Sequence, residues 1–195
     1  MIKNKWYKGE VKDLVKSWVV LSLAFAIVIT GPKFNLDLLL NLVFSALTVG
    51  VGFLMHELAH KMVAQKYRLK AVYKSDPIML GVALVSSLFG FLFAAPGAVY
   101  IIGSIRKKDN GKISLAGPVT NIILAIMFLI LFVINQNEIV KSITMLGFFV
   151  NSWLAAFNLI PFGMFDGRKI LEWNKVVYGV TLVIAVGLIF LRYLL

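Results

Sequence analysis

The chain has 195 residues, of which 60% are hydrophobic and only 15% are charged, and its formal net charge is +11. This composition excludes an ordinary soluble domain and predicts one compact membrane domain, residues 1–195, with no room for a separate soluble module. The lysines and arginines cluster between apolar runs, so they indicate topology and contact with the lipid bilayer rather than nucleic-acid binding. The absence of cysteine excludes disulfides and thiolate metal sites.

Six apolar segments predict an all-α integral membrane protein with five or six membrane crossings. In chain order they are residues 17–30, 36–65, 78–95, 113–134, 142–160 and 176–191. The first follows a basic N-terminal stretch but lacks a small-residue cleavage pattern, so we expect an uncleaved span rather than a removable signal. The chain is therefore predicted to be a multi-pass protein of the cell membrane.

The loops between these segments differ in basic charge, which predicts their side of the membrane. The basic loops are residues 3–16, 61–74, 106–112 and 168–175. The loops with few basic residues are 31–37 and 135–141. All four basic loops share the cytoplasmic side if residues 78–102 enter the membrane and return, and Pro96 and Gly97 favour a break in that stretch. We therefore predict five crossings, a re-entrant element and a cytoplasmic N-terminus, with six crossings as the alternative.

The stretch before the fourth segment favours a small β-element. Residues 98–105 are rich in valine, isoleucine and tyrosine, which favour an extended strand. Downstream, the dipeptide Asn110-Gly111 suits the type I′ turn of a β-hairpin. The sequence thus predicts a membrane-associated β-hairpin with this dipeptide at its tip, and a plain cytoplasmic loop is the alternative.

The second segment carries the only two histidines of the chain, His56 and His60. On a helix, a spacing of four places both imidazoles on one face, where they can bind one metal ion. Glu57, beside the first histidine, can then act as general base toward a water. Ionisable side chains inside a membrane are costly, which favours a function for them. The alternative is a pair of histidines satisfied by hydrogen bonds in a protein core.

A catalytic zinc ion usually has three protein ligands, and without a third histidine or a cysteine the missing ligand must be a carboxylate. Most acidic residues lie in loops or termini beside lysines, where a solvated role is expected. Asp166 differs, because Pro161 should break the preceding helix and Gly167 permits an unusual backbone angle. Broken helices at membrane depth mainly line cavities. Asp166 is therefore the predicted third ligand; an N-cap or a partner for Arg168 is the alternative.

Three motifs occur in a fixed order along the chain. They are His56-Glu57-x-x-His60, Gly117-Pro118-x-x-Asn121 and Asn158-x-x-Pro161-x-x-x-Phe165-Asp166-Gly167. Together they resemble the site-two protease family of intramembrane zinc metalloproteases, over a catalytic core of about residues 36–168. Phe165 stands where that family usually has leucine, a conservative departure, and we expect no PDZ-like module. From the residues themselves, Gly117 and Pro118 indicate close helix approach or a kink.

The resemblance implies a role for each polar residue of these motifs. It implies one zinc ion per chain, with His56, His60 and Asp166 as ligands and Glu57 as catalytic base. It also implies that Asn121 and Asn158 orient the substrate or the oxyanion. Taken from the residues alone, hydrogen bonding between helices is the alternative for both asparagines.

These inferences predict an intramembrane zinc metalloendopeptidase, which hydrolyses peptide bonds within or at the edge of the transmembrane helices of its protein substrates. We expect the mouth of the site on the cytoplasmic side, after His60, and an unwound substrate held along the strand edge at 98–105. One alternative is a membrane metal-ion transporter, which would spread ligands along a path, whereas one compact set exists here. A catalytically silent membrane-binding homologue is the other, and the intact motifs argue against it.

Overall fold

A computed structural model of the protein describes residues 5–33 and 35–194. The helices are α1 (Glu10–Thr30), α2 (Leu36–Ser45), α3 (Val51–Lys66), α4 (Pro77–Leu88), α5 (Lys107–Ile134), α6 (Glu138–Asn158), α7 (Asp166–Trp173) and α8 (Lys175–Leu191), and the strands are β1 (Lys70–Ser75) and β2 (Gly97–Ile102). The start of the basic loop predicted at 3–16 and one residue of the loop at 31–37 lie outside the described residues.

Within the described ranges, five helical units are long and apolar enough to cross a membrane. They are α1, the continuous unit Leu36–Lys66, α5, α6 and the unit Lys175–Leu194. Many of their aliphatic and aromatic side chains face outward, as in helices surrounded by lipid. The predicted all-α membrane protein with a small β-element is confirmed, and these helices indicate a multi-pass protein.

Asparagine and aspartate side chains determine where several helices begin. Asn35, Asp76, Asn137 and Asn174 each accept hydrogen bonds from backbone N–H groups in the first turn of the following helix. Such caps satisfy donors that have no partner inside the helix, so short loops suffice between the spans. Between α2 and α3 the backbone forms a π-helical turn, Ala46–Gly50, and the helix continues through it.

Helix α4 and the residues after it leave the sheet and return to it. With 12 residues α4 spans roughly 18 Å, which is less than the ~30 Å hydrocarbon core of a bilayer. The backbone N–H of Asp76, just before α4, donates to the carbonyl of Pro96 at 3.0 Å. The stretch therefore starts and ends at the same place, as the re-entrant prediction requires.

The two strands pair antiparallel, in a register that runs from Lys70 opposite Ile102 to Ser75 opposite Gly97. The predicted strand is therefore present, but the predicted turn at Asn110-Gly111 is wrong, because both residues lie in the first turns of α5. The partner strand comes from the far side of α4 rather than from a local hairpin. Gly111 serves packing instead, since a Cβ there would lie 2.3 Å from Trp173.

Helix α5 lies at the centre of the molecule and packs against α3, α6 and α7. On one side, apolar residues of α5 to α8 form a core that includes Ile122, Leu159 and Ile170. On the other side, Leu21 of α1, Phe53 of α3 and residues of the sheet form a second core. Helices α3 and α5, which carry the first two polar motifs, pack against each other.

Candidate metal centre

The three predicted ligands come together between α3 and the start of α7. His56 and His60 lie one turn apart on α3, and their Nε2 atoms are 3.0 Å apart. Oδ2 of Asp166 lies 3.0 Å from Nε2 of His60 and 3.4 Å from Nε2 of His56. All three side chains are buried, and they are the only group in the described residues with the composition and proximity to hold a metal ion.

Asp166 reaches the histidines because the chain breaks after α6. Helix α6 ends at Asn158, and an irregular stretch containing Pro161 leads to α7, whose first residue is Asp166. Gly167 permits the close return of this stretch, since a Cβ there would lie 2.1 Å from the carbonyl oxygen of Leu159. The unusual backbone angle expected at Gly167 is wrong: the residue is helical, and its missing side chain is what the fold requires.

The alternative roles of Asp166 do not match its contacts. Its side chain does not cap α7, and Arg168 pairs with Glu172 at 2.9 Å instead. Oδ1 of Asp166 lies 3.6 Å from Nζ of Lys169, while Oδ2 faces the histidines. Asp166 therefore directs one carboxylate oxygen at the two histidines.

Hydrogen bonds at the far side of each ring orient the imidazoles. Nδ1 of His56 lies 2.6 Å from Oδ1 of Asn121, and Nδ1 of His60 lies 2.8 Å from the carbonyl oxygen of Ile113. Because both partners are acceptors, each Nδ1 carries the proton and donates it. Both Nε2 lone pairs are then free and point toward Asp166. Metal-binding histidines normally donate their second ring N–H to an acceptor in this way.

Asn121 is completely buried and uses both ends of its amide inside the protein. Besides the contact to His56, its Nδ2 donates to the carbonyl of Gly52 at 3.1 Å and to Oδ1 of Asn151 at 3.0 Å. Asn151 in turn donates to the carbonyl of Gly147. These contacts place Asn121 behind a ligand, and the substrate-orienting role predicted for it stays a prediction.

Sequence reasoning did not single out Asn151, although the chain contained a signal for it. An asparagine in the middle of the apolar segment 142–160 is expensive to bury unless it is hydrogen-bonded. Asn158, which was singled out, is half-buried and donates to Leu154 of its own helix at 2.9 Å. No described hydrogen bond joins Asn158 to the ligands, and its predicted role also stays a prediction.

Gly117 provides the space that the two imidazoles occupy. A Cβ at this position would lie 2.5 Å from Cε1 of His56 and 2.5 Å from Nε2 of His60. Real Cβ atoms do not approach other atoms so closely, so any larger residue would push the rings away. Gly117 therefore allows α5 to approach α3, as the motif indicated.

Glu57 is buried beside the histidines but does not belong to the ligand group. Its carboxylate faces the backbone amide of Val99 in β2. The side chain of Val99 packs into the same core as Leu54 and Leu58 of α3. Glu57 thus lies between the ligand group and the strand, where a general base could contact a molecule held along β2.

The donor set fits a zinc ion. Zinc binds imidazole nitrogen and carboxylate oxygen at about 2.0–2.2 Å, so two donors in a tetrahedral site lie about 3.4 Å apart. The three donor atoms here are separated by 3.0 to 3.4 Å. Three protein ligands leave a fourth position open, as catalytic zinc sites do.

Comparison with known proteins decides the family. The chain is 39% identical to "Putative zinc metalloprotease MJ0611" of Methanocaldococcus jannaschii, over 98% of this chain and 95% of that protein. The chain belongs to the site-two protease family of zinc metalloproteases. It is also 31% identical to "Putative zinc metalloprotease YwhC" of Bacillus subtilis, over 66% of this chain and 68% of that protein.

A third relative has a longer chain. The protein is 30% identical to "Zinc metalloprotease MJ0392" of Methanocaldococcus jannaschii, over 76% of this chain but only 39% of that protein. No family model and no solved structure matches the chain. The predicted family is confirmed, and the relatives' names agree with zinc as the metal that the donor set fits.

Proposed function

We propose that this metalloprotease is an intramembrane endopeptidase, which hydrolyses peptide bonds within or at the edge of substrate transmembrane helices. The carrying observation is the buried group of His56, His60 and Asp166, with Glu57 beside it, inside a bundle of helices long enough to span a bilayer. A group buried in this way is reached most directly by a substrate that itself lies in the membrane. The whole chain, residues 1–195, would act as one domain.

In this proposal His56, His60 and Asp166 hold one zinc ion per chain. When bound, zinc supplies Lewis acidity, which polarises a carbonyl and lowers the pKa of a water. Asn121 and the Ile113 carbonyl keep the imidazoles in the tautomer that leaves Nε2 free. The negative charge of Asp166 reduces the net charge that the buried site would otherwise carry.

Glu57 moves the proton. Its carboxylate accepts a proton from the attacking water as the new C–O bond forms at the scissile carbonyl carbon. It then gives that proton to the amide nitrogen as the C–N bond breaks, so that the products are a carboxylate and an amine. The burial of Glu57 keeps bulk water from competing for this proton.

The free edge of β2 is suited to holding the substrate. Tyr73 and Val99 are partners across the sheet, and the N–H of Tyr73 donates away from it, to Glu10. The N–H of Val99 also points away from the sheet, toward Glu57. By the alternation of antiparallel strands, the N–H of Ile101 faces the same free edge. A substrate segment that unwinds could pair with this edge by strand addition.

We further propose that the N-terminus and the mouth of the site face the cytoplasm, in the cell membrane. The supporting observation is that Lys66 ends α3 and Arg68 follows it, while Arg168 and Lys169 lie on α7, the helix that provides Asp166. Basic residues collect on the cytoplasmic side of membrane proteins. Water would then reach the ligands from that side.

The decisive experiment is a cleavage assay with a model transmembrane substrate in detergent and in vesicles. Wild type and Glu57→Gln are compared, each with and without a chelator, and zinc content is measured separately. Glu57→Gln should keep its zinc and lose about 10²- to 10⁴-fold in kcat, since that is the usual contribution of a general base. Glu138→Gln, which alters an exposed carboxylate, is the matched control and should behave as wild type.

Three results would contradict the proposal: a wild-type protein without zinc, full activity in Glu57→Gln, or cleavage that a chelator leaves unchanged. If purified wild type carries zinc but moves it across vesicle membranes without cleaving any substrate, the transporter alternative replaces the proposal. A protein that binds zinc and a substrate helix without cleavage would be the silent homologue.

A further inference from the structure

An ion pair lies completely inside the protein, one residue after the ligand His60. Lys61 of α3 and Glu10 at the start of α1 are almost fully buried, and Nζ of Lys61 donates to Oε2 of Glu10. Nζ of Lys61 also lies 4.3 Å from the centre of the Trp6 ring. Burying two charges costs free energy, and an apolar pair often stabilises a fold equally well. Stability alone therefore does not explain why this ion pair is buried here.

Glu10 joins the metal helix to the sheet. Its Oε1 accepts the backbone N–H of Tyr73 in β1 at 2.9 Å, while Oε2 receives Lys61. Oε2 also accepts the backbone N–H of Tyr7 at 3.1 Å, so the carboxylate is fully hydrogen-bonded. One carboxylate thus contacts α3, β1 and the residues that precede α1.

These contacts close a ring around the proposed catalytic base. Lys61 contacts Glu10, Glu10 contacts Tyr73, and Tyr73 lies opposite Val99 in the sheet. The backbone amide of Val99 then faces Glu57, which lies one helical turn before Lys61 on α3. The ring begins and ends on the same face of α3, so its members determine how far β2 lies from Glu57.

We propose that Glu10 and Lys61 are positioning residues, which hold the free edge of β2 at the correct distance from Glu57 and the metal ligands. The inference rests on the proposed function, since it concerns how a substrate paired with β2 meets the base. A shift of about 1 Å between a held substrate and a catalytic group can lower the rate 100-fold. The pair supplies this alignment without touching substrate or metal.

The sheet has further anchors besides the ion pair, which is why the pair acts on alignment rather than on the existence of the sheet. The hydroxyl of Tyr73 donates to Ser17 at 2.8 Å, and Ser17 donates to the carbonyl of Pro96 at 3.2 Å. Tyr73 is also packed edge-on against Phe53 of α3. Removing the ion pair therefore leaves the strands attached to α1 and α3, but free to tilt.

Two variants separate alignment from stability. Lys61→Met breaks the link to α3 and leaves Glu10 bonded to Tyr73. The double variant Glu10→Lys with Lys61→Glu restores an ion pair, but a lysine at position 10 has no acceptor for the N–H of Tyr73. If the pair served stability alone, the double variant would recover both thermal stability and turnover. Glu138→Gln, which breaks an exposed pair with Lys141, is the matched control.

We expect both variants to keep wild-type zinc content, to lose about 10- to 100-fold in kcat and to change KM little. Turnover should stay low in the double variant even where its thermal stability recovers. Wild-type kcat in a variant that keeps zinc would overturn the proposal, as would recovery of turnover in the double variant. Loss of zinc in both variants would also overturn it, because the pair would then act on the ligands.

Amide hydrogen exchange makes the test independent of cleavage. In the zinc-loaded protein we expect the amides of β2, Val99 above all, to exchange faster in both variants than in wild type. Unchanged exchange at β2 would refute the positioning role. If wild type cleaves nothing, the proposed function fails on its own, while altered exchange at unchanged zinc content would still support the mechanical link.

Discussion

The metal centre lies between α3, α5 and the start of α7, whereas the sheet beside it consists of two six-residue strands. In the candidate metal centre, a hydrogen bond holds Nδ1 of each imidazole and Gly117 admits no larger side chain. In the sheet, Tyr100 and Ile102 expose more than half of their side-chain surface. The difference indicates a rigid candidate site beside a more adjustable surface, which in our proposal holds the substrate.

This comparison predicts that changes in the metal centre lower zinc affinity, whereas changes in the sheet impair substrate binding or turnover at constant zinc content. The largest effect is expected for Asp166→Ala. Two histidines alone make a poor site, so zinc affinity should fall more than about 100-fold, beyond the loss seen for outer partners of ligands. Zinc titration with a competing chelator measures the effect.

Asp76→Ala is the control for Asp166, because Asp76 only caps α4. It should retain zinc and lose about 1 kcal/mol of stability, the usual value of an N-cap. Zinc loss in Asp76→Ala combined with normal zinc in Asp166→Ala would overturn the ligand assignment.

Gly117→Ala should have the next largest effect. The added Cβ would collide with both imidazoles, so we expect zinc affinity to fall by about 100-fold, near the upper end for groups that support ligands. Gly179→Ala in α8 is the matched control, since its Cβ would meet no atom within 4 Å. Equal zinc affinity in the two variants would show that the space at Gly117 is not needed.

A smaller effect is expected for Asn121→Ala. His56 would lose the acceptor that fixes its tautomer, so zinc affinity should fall about tenfold, near the lower end for such partners. Asn158→Ala, which has no described hydrogen bond to a ligand, should leave zinc affinity unchanged. If Asn158→Ala instead lowers kcat at constant zinc content, its predicted role toward substrate is supported.

The smallest effect is expected at the free edge of β2. Ile101→Pro removes an outward N–H, and proline is tolerated at such edge positions. We expect KM for a membrane substrate to rise about fivefold, the loss of about one hydrogen bond, with zinc content unchanged. Tyr100→Ser alters only an exposed side chain and should leave KM near wild type. Unchanged KM in Ile101→Pro would argue against strand addition.

The sequence predicted the features that follow from local spacing. His56 and His60 share a face because any α-helix places them so, and Asp166 follows from elimination among a few carboxylates. The strand near Val99 followed from side-chain propensity. Its partner strand could not be predicted in this way, because the sheet pairs residues on either side of α4. No local sequence signal indicates a contact between residues so far apart in the chain. The turn signal at Asn110-Gly111 was overridden by tertiary packing of α5.

Other contacts could not be predicted because they depend on packing between distant helices. The link from Asn121 to Asn151 requires knowing that α3, α5 and α6 meet at one point. The sequence also could not show why position 167 requires glycine. The chain returns toward Leu159 there, and this close approach leaves no space for a side chain. In both cases the sequence gives the residue type but not the neighbour that explains it.

The order of the site residues along the chain has a consequence for synthesis. Ribosomes make the chain from the N-terminus, so α3 enters the membrane with His56 and His60 long before Asp166 exists. Until α7 emerges, the two imidazoles form a two-ligand site that binds zinc poorly. In the proposed mechanism, the nascent chain would therefore gain proteolytic competence only after α7 has joined α3, and not while the earlier spans are being inserted.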